Sequence, residues 1–161
     1  MWRRLSFLRG FTLVELMITV AIIGVLVAMA LPVKEMVVKR QNERELRSAL
    51  REIRGALDAY KRAAEEGKLR LNVGDSGYPK SLDDLVVGVE NITSPDRQKL
   101  YFLRRVPRDP MSPDPSVSDS QSWGKRSYAS SPDDPKEGAD IFDVFSLSKG
   151  KGLNGVPYRE W

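Results

Sequence analysis

A run of 21 residues at positions 11–31, FTLVELMITVAIIGVLVAMAL, carries a single charge, Glu15. An α-helix needs about 20 mainly apolar residues to cross the hydrocarbon core of a bilayer, so the run reads as a membrane helix. A carboxylate inside it costs roughly 2.5–3.5 kcal/mol on insertion scales and marks function by default. Any account of the chain has to explain Glu15.

The formal charge is +4, from 26 Lys and Arg against 22 Asp and Glu. Three of the basic residues, Arg3, Arg4 and Arg9, precede the run with no acid among them, leaving 23 against 22 beyond. The basicity is therefore a topogenic signal: it holds the leading residues in the cytoplasm and sends the remainder across the membrane. It is not the footprint of a nucleic-acid partner. Cysteine and histidine are both absent. Their absence removes disulfides, thiolate zinc sites and the usual base of a Ser-His-Asp triad. An enzyme is not expected, and neither is a catalytic residue or a cofactor.

Three readings compete for the N-terminus. A secretory signal peptide would use Ala28-Met29-Ala30 as its cleavage site, but its apolar core spans only about 7–15 residues. A plain membrane anchor fits the length and leaves Glu15 unexplained. The third reading is a cut on the cytoplasmic side, between Gly10 and Phe11, with the apolar run retained.

Residues Arg9-Gly10-Phe11-Thr12-Leu13-Val14-Glu15 decide among these. They resemble the processing motif of type IV pilins and type II secretion pseudopilins, in which Gly is followed by Phe-Thr-Leu-x-Glu and an apolar helix. Gly24 and Pro32 extend the resemblance. It implies that a prepilin peptidase cleaves after Gly10 and N-methylates Phe11. It also implies that Glu15 meets the Phe11 amine of a neighbouring subunit in a filament. A buried carboxylate and a buried ammonium each cost several kcal/mol alone and offset one another when paired. Such a pair would set axial register, as single polar groups do in coiled coils. In a helix interior Gly costs about 1 kcal/mol and Pro about 3. Gly24 and Pro32 are thus either an ordinary membrane-helix kink or a segment that loosens when subunits pack.

Beyond a polar collar at residues 34–45, Leu46, Leu50, Ile53, Leu57, Tyr60 and Ala64 recur at alternating spacings of four and three. That is one face of an amphipathic helix. A coiled-coil seam is the alternative, but the stripe is short and a head domain is attached. Gly67 is placed to cap the helix, which would run roughly 80 Å from Phe11 at 1.5 Å per residue. In the head, Ser81 is expected to cap a short helix. Residues 107–121 hold four prolines and read as a loop. Residues 123–130 and 140–147 are the best strands, joined by a hairpin-type connection at 131–138. A sheet this small needs an apolar cover, and the Leu46–Ala64 stripe is the available one.

The expected fold is α+β, a long N-terminal helix on a small antiparallel β-sheet head. Its parts are a leader (1–10), a transmembrane and assembly half-helix (11–33), an amphipathic half (34–66) and a periplasmic head (67–161). The segments Tyr78-Pro79 with Ser81, Leu82 and Leu85, and Leu100 to Pro110, resemble the G-type major pseudopilin most. Members of that group often bind calcium in the C-terminal loop. Here that loop offers Lys149, Lys151 and Asn154 and no acid, a poor set for an ion that takes six to eight oxygens, so calcium is disfavoured. Trp161 is expected to pack back onto the head, and Asp83, Asp84, Asp133 and Asp134 to be solvated. The resemblance implies a self-polymer in a type II secretion pseudopilus. Its expected partners are the prepilin peptidase, an inner-membrane assembly platform and minor pseudopilins. The alternatives are a major or minor type IV pilin of a surface filament and, further off, a membrane-anchored periplasmic binding module.

Overall fold

A computed structural model describes the backbone of residues 10–161 and, apart from residues 28–33, their side chains. The leader, with Arg3, Arg4 and Arg9, otherwise lies outside the described residues. The chain divides into two compact units, Met1–Lys39 and Arg40–Trp161.

The first unit contributes the opening of helix α1 (Leu13–Glu65). Thr12 starts it: its hydroxyl accepts the Glu15 N–H at 3.2 Å, and its carbonyl accepts the Leu16 N–H at 3.1 Å. This is an N-cap, and Glu15 in the first turn adds a negative charge at the positive end of the helix dipole. The backbone stays helical through Gly24 and Pro32. Among the described residues no helix is long and apolar enough to cross a membrane.

In the second unit the stripe is buried as its spacing requires. Leu46, Leu50, Ile53 and Leu57 are at most 2 % exposed, and full burial of such a side chain stabilises by about 1.5–3 kcal/mol. They pack with Leu82, Leu85, Leu103, Val106, Trp123, Ile141, Val144 and Tyr158 in one core. Gly67, at φ +70°, ends α1. Its N–H donates to the Ala64 carbonyl and the Lys68 N–H to that of Ala63, both at 3.0 Å. That is a Schellman motif, and the positive φ is the reason for the glycine.

The expected second helix is a single turn, α2 (Asp84–Val87), and it starts later than Ser81. Ser81 organises the preceding turn instead, accepting from the Asp83 N–H at 3.1 Å and donating its own N–H to Asp84 at 2.9 Å. The helix cannot lengthen because Gly88 turns away at φ +79°, and the Phe102 and Leu103 N–H groups both take the Leu85 carbonyl.

Two small antiparallel sheets complete the fold. Strands β1 (Val89–Glu90) and β2 (Lys99–Leu100) pair Val89 with Leu100. Strands β3 (Trp123–Arg126) and β4 (Asp143–Ser146) pair Trp123 with Ser146 and Arg126 with Asp143. The second pair lies within the expected strands and is shorter, lacking residues 127–130 and 140–142 on the side of the connecting loop. Asp140 interrupts the ladder, its carboxylate accepting from the Ser127 hydroxyl at 2.7 Å and the Tyr128 N–H at 2.8 Å. The Ile141 N–H is drawn to the Pro79 carbonyl. The fold is α+β, a long helix packed with small antiparallel sheets. The proline-rich stretch is a loop as expected, closed by a 3₁₀ turn at Asp119–Gln121. Arg108 spans it, donating to the Val117 and Asp114 carbonyls. Next to Arg108, the Asp109 carboxylate is buried and accepts from the Ser146 hydroxyl at 2.6 Å and the Met111 N–H at 2.8 Å. Burial raises its pKa against the opposing pull of those two donors.

Candidate assembly segment and C-terminal closure

Gly10 and Phe11 lie immediately ahead of α1, and Glu15 lies one turn inside it. Phe11 is 83 % exposed, and every large apolar side chain from Leu13 to Val27 is more than half exposed. A continuous apolar surface of this extent marks a protein or membrane interface. Glu15 sits within it and, among the described residues, forms no ion pair. Phe11 is in peptide linkage to Gly10 here and carries no amine. A Cβ added at Gly24 would meet nothing within 4 Å. Pro32 lies among the residues whose side chains are not described.

A second cluster, which includes Glu43 of the polar collar, closes the C-terminal loop. Glu43 is buried, and its Oε1 accepts the Leu153 N–H at 2.8 Å and the Tyr158 hydroxyl at 3.1 Å. Burial, and then the Glu43 acceptor, push the Tyr158 phenol up to about 12. Arg54 donates to Asp143 at 2.8 Å and to the Trp161 carbonyl at 2.8 Å. The Arg47 guanidinium stacks 4.3 Å above the Trp161 ring. Trp161 thus packs back on the head, as expected. The clue to Glu43 was its place three residues before Leu46, on the N-terminal continuation of the apolar stripe.

The loop does not fit calcium. The carbonyls of Gly150, Gly152 and Val156 accept the N–H groups of Tyr158, Gly155 and Gly152, and the Asn154 side-chain oxygen accepts the Val156 N–H. Lys149 and Lys151 lie in the same segment. Calcium takes six to eight oxygens, several of them anionic. These oxygens accept from the loop's own N–H groups, the lysines of the segment are positive, and the Glu43 carboxylate that reaches it is taken by the Leu153 N–H and the Tyr158 hydroxyl. Glu43 does from the helix what an ion would do from within the loop. Millimolar calcium and chelators are therefore expected to leave the melting temperature of the purified chain unmoved. Glu43→Ala is expected to cost about 1–3 kcal/mol, because it strands the buried Tyr158 hydroxyl and leaves the part-buried Leu153 N–H without its acceptor. Differential scanning calorimetry checks both; a calcium-dependent rise in melting temperature would refute the closure.

With this geometry in view, likenesses to known proteins acquire a structural meaning. The family model for the prokaryotic N-terminal methylation motif matches residues 9–31, which hold the Gly10-Phe11 junction and the apolar run that follows it. The type II secretion system core protein G of Klebsiella pneumoniae is 28 % identical over 153 residues, 92 % of this chain and 87 % of that protein. Its counterpart in Dickeya chrysanthemi is 25 % identical over 152 residues, 91 % of this chain and 92 % of that protein. The type IV major fimbrial protein FimA of Dichelobacter nodosus is 40 % identical over 63 residues, 39 % of this chain and 40 % of its own. No solved structure matches. By its methylation motif, and by a likeness that runs most of its length, the chain resembles the type II secretion pseudopilins of the core protein G kind.

Proposed function

We propose that the chain is a structural, non-catalytic subunit of a type II secretion pseudopilus. A prepilin peptidase cleaves it after Gly10 and methylates Phe11. The mature chain is held in the bacterial inner membrane by residues 11–33, with its N-terminus cytoplasmic and its head periplasmic. An inner-membrane platform then polymerises it into a fibre that works with minor pseudopilins in protein export. The observation that carries this reading is the apolar surface from Phe11 to Val27, left exposed among the described residues and holding one carboxylate. Such a surface suits two surroundings in turn, lipid before assembly and neighbouring helices after it. The Gly24–Pro32 segment is the place where α1 would loosen during that transfer.

The pseudopilin reading is favoured over a surface pilin because the likeness to core protein G spans 92 % of the chain, against 39 % for the fimbrial protein. Deletion of the gene is expected to abolish export of type II substrates and to leave surface filaments and twitching intact. The opposite pattern would make it a pilin. Mass spectrometry of the mature protein is expected to find a methylated Phe11 terminus; a terminus at Leu31 would return the segment to a cleaved signal peptide.

A further inference from the structure

Arg40, Arg44, Arg47, Arg51 and Arg54 recur on α1 at alternating spacings of four and three, the period of a single helix face. The first four are exposed and, among the described residues, form no ion pair. Arg54 alone is paired, to Asp143. Glu160 is the one acid lining the groove beside Arg47 and Arg51. Arg47 also stacks on Trp161; the four aligned guanidinium groups still hold no paired carboxylate among the described residues, and each presents a planar fork suited to one.

The complementary charge is on the same chain, away from the stripe. The loop at residues 131–138 exposes Asp133, Asp134 and Glu137. Its one base, Lys136, pairs with Asp134 at 2.8 Å, leaving Asp133 and Glu137 without an ion pair among the described residues. The adjoining Tyr128 packs on Tyr78, and Tyr78 lies under the Lys61 ammonium at 5.6 Å. Lys61 also donates to the Ser76 carbonyl. The acidic loop is therefore tethered beside the Lys61 turn of α1. That turn is about 20 Å along the helix from Arg47, at 1.5 Å per residue.

We infer that the arginine stripe is the docking surface for the acidic loop of a second copy of this chain. The two patches differ and are offset along α1, so the contact is heterologous. Repeated from copy to copy it does not close on itself, and it generates an open helical array. One exposed ion pair contributes little; several aligned pairs give register and steer encounter. The inference rests on the pseudopilus reading and adds to it a specific interface between heads.

Charge reversal tests it in the full chain in secreting cells. Arg44→Glu with Arg51→Glu, or Asp133→Lys with Glu137→Lys, is expected to lower sheared-filament yield about tenfold, with chain level and N-terminal processing unchanged. The fourfold combination should restore the yield to within about twofold of the parent, since it re-forms the pairs with exchanged signs. The chain has no cysteine, so Arg51→Cys with Glu137→Cys reports contact directly, as oxidised dimers and ladders in the periplasm. This pair also bypasses any folding defect of the reversals. If the combination is as defective as the arginine reversal alone, the stripe meets another anion, such as lipid phosphate, and the inference fails. Filaments that form without cross-links overturn it equally. A failure of the pseudopilus reading looks different: the parent chain forms no filaments, and deletion of its gene leaves secretion whole.

Discussion

Trp123→Ala is expected to cost about 3–5 kcal/mol, the range for removing a large aromatic from a core. Trp123 is 1 % exposed and stands at the start of β3, packed in the core that the α1 stripe covers. Its indole N–H donates to the Pro107 carbonyl at 2.8 Å, so the same side chain anchors the start of the proline-rich loop. Truncation leaves a cavity between helix and sheet and a carbonyl without its donor. Against a typical total stability of about 5–15 kcal/mol, a loss of this size leaves a marginal fold. Urea unfolding of the purified chain should show a much lower midpoint with an unchanged slope. Trp123→Phe should fall between, keeping much of the volume and losing the hydrogen bond. Tyr101→Ala is the control: Tyr101 is 66 % exposed, and surface changes of this kind stay within about 0.5 kcal/mol. If Trp123→Ala and Tyr101→Ala behave alike, the core is not where the structure puts it.

The parts of the fold that were legible in the sequence are those with a period or a fixed backbone demand. Leu46 to Ala64 repeat with the helix, Gly67 meets a positive φ, and four prolines cannot lie in an interior strand. The missed parts have neither. β1 and β2 are two residues each, too short for alternation to register. The loop-side ends of the two longer strands have a strand-like composition, but a single side chain, Asp140, takes the donors that a ladder would have used. Buried acids are the hardest case. Glu43 and Asp109 look like solvent residues, one in a charged collar and the other in a Pro-Arg-Asp-Pro loop. What makes them interior is a set of donors, Leu153, Tyr158, Ser146 and Met111, most of them distant in sequence. The methylation motif was legible for the opposite reason: its information is local, a junction and a helix start within a few residues.

Glu15→Val is expected to abolish fibre formation while leaving the chain inserted and processed. Removing the carboxylate makes the apolar segment easier to place in lipid, by roughly 2.5–3.5 kcal/mol on insertion scales, so membrane retention should not suffer. The helix start should also survive, because Thr12 provides the cap through its own hydroxyl and carbonyl. The loss comes only on assembly. Under the proposed processing and assembly, removal of Gly10 would give Phe11 a charge, and packing that charge among neighbouring helices without a counter-ion would cost about 3–5 kcal/mol for each contact. At 1.4 kcal/mol per factor of ten, that weakens each contact by a hundredfold or more. Glu15→Gln keeps the shape and removes the charge, so it should fail almost as completely. Glu15→Asp keeps the charge on a shorter arm and should recover part of the yield. Sheared-filament yield, scored beside mass spectrometry of the Phe11 terminus, separates a processing defect from an assembly defect. Normal filaments from Glu15→Val would mean that the carboxylate is not the partner of that amine, and Glu15 would need another explanation.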